Sequence, residues 1–340
     1  MLKRRGTVFR SFPTVDAVGR PRFRDKPRAH RPWAACRALA GVLALLGTPR
    51  AHAATLQAGP GKPYASPSAA IADAAPGDTV VIAPGQYFDC AVVKTPRLTI
   101  EGAGDAASVV LTDTTCAGKA ILVIDAPDVT IRNLTLTRAR VPDGNGAGIR
   151  MEGGSLVVEG VRFINNEDGI LTAADPTWTL LVRNSLFEAN GVCREYCAHG
   201  IYAGHIGRLD VENSTFRETR QGHHIKSRAM HTAVIGCTIA DGPAGTASYL
   251  IEAPNGGSIE ISHNTLEKGP HSSNDSAAIS IGAEGVNQPT LAITVEDNDF
   301  TNDLGRPTLF VNNTTATAAR LSGNHLHGKV SALQGDGSVQ

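Results

Sequence analysis

The chain has 340 residues and a formal net charge of zero, but its charges are unevenly spread. The first 53 residues hold 12 of the 32 Lys and Arg and only two acids, Asp16 and Asp25; the remainder keeps 20 basic against 30 acidic residues, a formal net charge of −10. A chain that acidic is a poor general nucleic-acid binder, so any anionic ligand requires a local basic patch.

The opening residues read as an export signal. The basic stretch leads into an apolar run from Trp33 to Gly47, broken only by Arg37, which ends at Ala51-His52-Ala53. A basic region, an apolar core of that length and a small-x-small site make a secretory signal peptide, so residues 1–53 form a basic leader and the exported chain begins at or near Ala54. Arg4-Arg5 lies far from the apolar core, which weighs against a twin-arginine leader. The run is too short to span a bilayer comfortably, and no later segment approaches 18 apolar residues, so no membrane span is expected. The expected location is secreted or periplasmic.

Five cysteines follow the leader. An exported protein can keep disulfides, so Cys90 is expected to pair with Cys116 and Cys193 with Cys197, leaving Cys237 as a buried thiol. The competing reading is a metal site on Cys193, Cys197 and His199, which lacks the fourth protein ligand of a structural zinc.

From residue 54 to 90 the sequence describes a cap and a first strand. Ser68 to Ala75 is Ala-rich and predicts a short helix, Pro76-Gly77-Asp78 ends it, and Thr79-Val80-Val81-Ile82 starts the first strand. Residues 91–328 then repeat. The segments "VTIRNLTL" from Val129, "LVVEGVRF" from Leu156, "LLVRNSLF" from Leu180, "LDVENSTF" from Leu209, "IEISHNTL" from Ile259 and "ITVEDNDF" from Ile293 alternate apolar and polar residues, then turn at Asn or a small residue before a large apolar one. With "AVIGCTI" from Ala233 and "ARLSGNHL" from Ala319 there are eight such segments, and from Leu136 to Leu326 their seven intervals cover 190 positions, a mean of about 27. A second short strand falls between most of them, as in "GIRME", "GILTA", "GIYAG" and "HIKSR". Such repeats stack into a solenoid, each strand pairing with its equivalent in the next coil. The recurrent Asn is placed at a sharp corner, where it tolerates unusual dihedrals and its amide can bond the backbone or the Asn above. A β-sandwich would show strands every 8–12 residues without this long period. The fold class is therefore all-β, a right-handed parallel β-helix with a short N-terminal capping helix, and residues 329–340 are expected to be a flexible tail.

The helix followed by "PGDTVVIAPGQY" resembles the N-terminal cap of the pectate-lyase-like superfamily of right-handed β-helices, which includes an alginate and chondroitin lyase branch. The "N-x-F" coils are similar to that superfamily's repeats, and the likeness spans roughly Ala54 to Gly328. "NGAGIRMEGG", "GHHIKSRA" and "SYLIEAPNGG" are similar to strings in uncharacterised secreted bacterial β-helix proteins. The resemblance implies a polysaccharide partner, while the superfamily holds lyases, hydrolases, epimerases and binding proteins, so fold alone does not choose among them.

Chemistry is sought on the intervening strands, aligned on Ile149, Ile170, Ile201 and Ile225 as inward residues. Alternation then turns Arg150 and Glu152 outward in one coil, Tyr202 in a later one, and His224, Lys226 and Arg228 in the next. With coils about 4.8 Å apart, Tyr202 lies beside Lys226, and Arg150 and Glu152 lie about 14 Å from Lys226 along the same face. In "SYLIEAP" the register with Ile251 inward avoids burying an unpaired carboxylate and sets Glu252 beside Lys226; the other register turns Tyr249 outward. Tyr, His, Lys, Arg and Glu on one strand face suit β-elimination in an anionic, uronic-acid-containing polysaccharide. That reaction removes the C5 proton and must stabilise the enolate-like charge on the neighbouring carboxylate, by Arg or a bound Ca²⁺. Arg228 is assigned to the substrate carboxylate, Lys226 or His224 to the base and Tyr202 to the proton donor, with Arg150, Glu152, Tyr249 and Glu252 as substrate-binding residues. Arg228 falls near the strand arginine of the alginate and chondroitin lyase branch; that branch's lysine and Ca²⁺-binding acids are not placed here. Three alternatives remain. The charges can be ordinary solvated polarity on a non-catalytic glycan-binding or structural surface. Glu167 and Asp168 in "NNEDGI" resemble the acidic turns of polygalacturonase-like hydrolases. A C5-epimerase would share the proton-abstraction chemistry. His199 and His223 fall on inward positions and are read as structural.

Overall fold

The computed structural model of the protein describes residues 53–340, so the expected leader lies outside the described residues save Ala53. Each coil is three short strands. In one of them Leu156–Glu159, Arg162–Ile164 and Asp168–Thr172 follow one another, and their equivalents build three parallel sheets of twelve, ten and ten strands. Register is kept by stacking like on like. Leu156 pairs with Leu180 and Leu180 with Leu209 in the first sheet; Phe163 pairs with Phe187 and Phe187 with Phe216 in the second; Ile149, Ile170, Ile201 and Ile225 run in register through the third. A one-residue slip would turn each of these apolar rows out of the core, which fixes the register. The rings of Phe163, Phe187 and Phe216 stack with centroids 4.5 and 4.4 Å apart.

The segment that reads as one strand in sequence is two, because the bend between the first and second sheets takes only two residues. Its first residue is left-handed: Asn133, Asn184 and Asn213 have φ of 57°, 52° and 46°, and glycine takes the position at Gly160 and Gly236. Asn is the residue that occupies this region at least cost after Gly. One residue later the Asn side chains form a ladder. Asn264 Nδ2 donates to Asn298 Oδ1 at 2.8 Å, and Asn298 Nδ2 to Asn324 Oδ1 at 2.9 Å. A second pair, Asn166 and Asn190, caps the corner that leads into the third sheet, with Asn166 Nδ2 donating to Asn190 Oδ1 at 3.2 Å. The corner Asn thus takes both expected roles, and Asn133 combines them, its Nδ2 donating to Gly102 O at 2.7 Å.

The capping helix runs Pro67–Asp73, with Ser66 Oγ accepting from the Ala69 amide and Pro67 in the first turn, where its missing N–H costs nothing. Ala70 and Ile71 are buried against the coils. Two expectations need correction. The first strand is Thr55–Ala58, ahead of the helix and paired with Thr79–Ile82; its TLQA lacks the β-branched run that marks TVVI as a strand. Residues 329–340, expected as a flexible tail, add the strands Val330–Gln334 and Gly337–Val339, paired onto Thr308–Asn313 and Ala319–Ser322. Neither strand has a fully buried face, so the pairing is carried by the backbone and leaves no alternation to read.

Both expected cystine pairs are joined, Cys90–Cys116 and Cys193–Cys197, which removes the two thiols that a zinc reading requires. Cys237 is a buried free thiol, pushed by burial up to about 11. Non-reducing peptide mapping should recover both linked pairs, with Cys237 alkylated only after unfolding. Reduction of the 26-residue link should cost about 3–4 kcal/mol in the chain-entropy account, read as a lower denaturation midpoint. Among the described residues no helix is long and apolar enough to cross a membrane.

Candidate functional site

The third sheet carries the site on its outer face. Tyr202, Lys226 and Glu252 are paired neighbours in successive strands, Ile201–Ala203, Ile225–Ser227 and Ile251–Ala253, whose Ile residues point into the core. Two loops rise over this row. The disulfide loop around Cys193 and Cys197 brings Glu195 and Tyr196, and a loop from 282 to 291 brings Glu284; with His199, His223 and Arg228 they line a cleft of about 810 Å³. The second loop is pinned back across the coils. The Asn255 side-chain amide donates to Gly285 O at 3.0 Å, and Gln288 Nε2 reaches Arg228 O at 3.1 Å and His205 Nδ1 at 2.9 Å.

Lys226 and Arg228 close on one carboxylate. Glu284 Oε1 lies 2.7 Å from Lys226 Nζ, and its Oε2 lies 2.5 Å from Arg228 Nη2. Burial works to raise the Glu284 carboxyl, but the two cations outweigh it and hold it below the usual carboxylate range. Partial burial likewise works to lower Arg228, and its bonds to Glu284 and Tyr202 more than reverse that. Arg228 Nε donates to the Tyr202 hydroxyl at 2.9 Å and Nη1 to Asn255 Oδ1, so the guanidinium is fixed in a plane. Lys226 Nζ also lies 3.0 Å from Glu252 Oε2. This is not a solvated surface pair: Lys226 is 9% exposed and Glu252 4%, because the loops roof the outer face.

Glu252 is flanked on its other side by His223 Nε2, 3.0 Å from the same oxygen. Burial raises its carboxyl, and His223 with Lys226 brings it below the ordinary range. The histidine tautomers follow from backbone donors. His223 Nδ1 accepts from the Tyr249 amide at 3.2 Å, and His199 Nδ1 accepts from the His223 amide at 3.0 Å. A ring nitrogen that accepts carries no proton, so in each neutral ring the proton sits on Nε2. The two imidazoles stack with centroids 4.8 Å apart. Burial first, and then the positive charges of Lys226 and Arg228, hold His199 well below its usual range, so it presents a neutral N–H.

Several expected residues stand elsewhere. His224 does not face out: it is fully buried, with Nδ1 2.8 Å from Thr219 Oγ1 and Nε2 3.0 Å from Asp241 Oδ1, so it is withdrawn as a base. His223, read as inward, lines the cleft in its place. The strand begins only at Ile225, and left-handed Gly222 turns the chain just before it, so alternation does not extend back to these two residues. Tyr249 packs on His223, and its hydroxyl lies 3.3 Å from Ser276 Oγ. Arg150 and Glu152 sit on the same sheet, in coils before Tyr202, paired to each other at 2.8 Å, with Lys119 Nζ on Glu152. Glu167 and Asp168 are buried. Glu167 Oε2 accepts from the Val141 and Gly146 amides at 2.9 and 2.8 Å, and Asp168 Oδ1 from the His199 amide at 2.6 Å. Burial pushes the Asp168 carboxyl well above its usual range. Both acids hold loop backbone, a structural use of the turn read as a hydrolase motif. Among the described residues no group of three or more His, Cys, Asp and Glu is arranged to hold a metal ion; of the carboxylates at the cleft, Glu252 and Glu284 are already met by cations and Glu195 stands alone, so the donor set does not fit Ca²⁺.

Residues 97–239 match the family described as the right handed beta helix region. Among solved structures, an alginate lyase from Paenibacillus sp. str. FPU-7 superposes with a TM-score of 0.54 at 17% identity, over 82% of this chain and 99% of that one. The pectate lyase Pel9A superposes with a TM-score of 0.57 at 14% identity, over 85% of this chain and 77% of that one. At these identities the likeness is one of fold. No curated protein matches the chain in sequence.

Proposed function

We propose that this protein, a right-handed β-helix of the pectate-lyase-like superfamily, is exported and cleaves a uronic-acid-containing polysaccharide by β-elimination in the cleft over Tyr202, Lys226 and Arg228. The observation that carries the reading is the carboxylate of Glu284 clasped by Lys226 and Arg228 at 2.7 and 2.5 Å. A uronate carboxylate has the same shape and charge, and Glu284 belongs to a loop whose side chain is 43% exposed and can swing aside. In the proposed complex the substrate carboxylate replaces Glu284. The paired cations then stabilise the charge that moves onto it as C5 loses its proton.

Tyr202 handles the proton. Its oxygen accepts from Arg228 Nε, and its own O–H has no partner among the described residues, so it is free to face the sugar. As phenolate it takes the C5 proton; the C4–C5 double bond forms, the C4–O4 bond breaks, and Tyr202 returns the proton to the departing oxygen. Lys226, bridged to Glu252 and Glu284, is placed to hold the substrate carboxylate rather than to act as the base expected from sequence. Neutral His199 offers an N–H donor to the sugar.

Glu284 is then a competitor. Incubating the wild type and Glu284→Gln with a panel of uronic-acid polymers should give unsaturated product from one class. The variant's KM should fall several-fold, with kcat little changed, because the amide leaves the cations free. An increase of KM in Glu284→Gln would overturn the substitution idea, and unsaturated product from none of the polymers would overturn the lyase reading.

A further inference from the structure

A second cavity of about 330 Å³ opens beside the cleft, sharing Gln221 with it, and is lined by Arg140, Arg194 and Arg220. Three guanidinium groups face a single carboxylate there. Glu167 is buried and already accepts two backbone amides, and only Arg194 touches it, at 3.2 Å. Arg140 and Arg220 have neutral partners: Arg140 Nη2 and Arg220 Nη1 both donate to Asn165 Oδ1, at 2.7 and 2.8 Å. One amide oxygen therefore holds two like charges close together. Arg140 also donates to Ala139 O and Asn165 O, and Arg194 to Pro142 O. Of the five N–H donors on each guanidinium, Arg220 uses one this way, so most of its donors point to no protein group among the described residues. Excess positive charge is unusual in a chain whose described part is strongly acidic. It meets the requirement for a local basic patch.

We propose that Arg140, Arg194 and Arg220 form a second anion site, which binds a carboxylate or sulfate oxyanion. That the anion is borne by a neighbouring acidic sugar of the same polymer rests on the function proposed for the cleft; the oxyanion chemistry does not. The planar forks of Arg suit either group bidentately. Arg140 and Arg194 also brace loop carbonyls, so Arg220 is the residue to alter.

The test is an NMR titration of the full exported chain with sodium sulfate and, separately, sodium glucuronate, at ionic strength held constant with chloride. The Asn165 and Gln221 side-chain amides are followed in wild type, Arg220→Gln and Arg228→Gln. Both resonances should move saturably in wild type and in Arg228→Gln. The affinity should fall about tenfold in Arg220→Gln, the loss of one charge-assisted contact, and Arg220→Lys should recover part of it. Tighter binding of sulfate than of glucuronate identifies a sulfated sugar as the source, and the reverse a uronate. Equal affinity in Arg220→Gln and wild type, or no saturable shift with either anion, overturns the site. Because no turnover is involved, a failure of the cleavage reading leaves this result standing, and the converse also holds.

Discussion

Arg228→Gln is expected to lower turnover by about two to three orders of magnitude, the usual loss when one donor to a developing oxyanion is removed. Arg228 is the centre of the arrangement: it holds Tyr202, Asn255 and Glu284 at once. Its side chain is 24% exposed, so the variant should stay folded, and unchanged cooperative melting is the control. Arg228→Lys keeps the charge but loses the fork and should recover little. Lys226 needs more care. Lys226→Ala leaves Glu252 buried with His223 alone, and breaking a buried pair from one side can cost about 3–5 kcal/mol. Lys226→Gln, which retains a donor toward Glu252, separates catalysis from folding better. A Lys226→Gln/Arg228→Gln double variant that turns over like wild type would remove the cations from the mechanism.

Tyr202→Phe should reduce kcat by about two to four orders of magnitude, the span of general acid–base catalysis, while KM moves little. The ring stays, with its place beside Leu171 in the adjacent strand and 5.7 Å from the Arg228 guanidinium carbon. Only the hydroxyl is lost, so the melting temperature should be nearly unchanged. The other readings give different patterns. A hydrolase would lose activity in Asp168→Asn, where burial already favours the uncharged acid and the folded state should tolerate the amide. A glycan-binding surface would lose affinity in the cation variants and form no product from wild type. A C5-epimerase would share the need for Tyr202 but leave chain length intact.

The fold was legible because its period is long and each coil repeats the same inward residues: Leu156, Leu180 and Leu209 recur at positions the register confirms. The bend between the first two sheets was legible as Asn, but not as a break between strands, since two residues leave too little room for a turn signal. Parity arguments held within strands, where Tyr202, Lys226 and Glu252 fall in one row. They failed one residue outside, where His223 and His224 exchange roles. Depth of burial was not legible. An outward strand residue is solvated only if nothing covers it, and here two irregular loops do. Glu284 left no mark in the sequence because it meets Lys226 from 58 residues away in a loop outside the repeat. The arginines of the second cavity are likewise spread from Arg140 to Arg220 and come together only when the coils stack.

The ends of the products distinguish elimination from hydrolysis. The chain from Ala54 onward is incubated with each of a panel of uronic-acid polymers, and the new chain ends are identified by mass spectrometry and NMR, alongside the Tyr202→Phe variant. Elimination leaves a C4–C5 unsaturated uronate at every new non-reducing end, with no incorporation of solvent oxygen, and the variant should give none of this product. Saturated ends that carry solvent oxygen, or wild-type product from Tyr202→Phe, would contradict it.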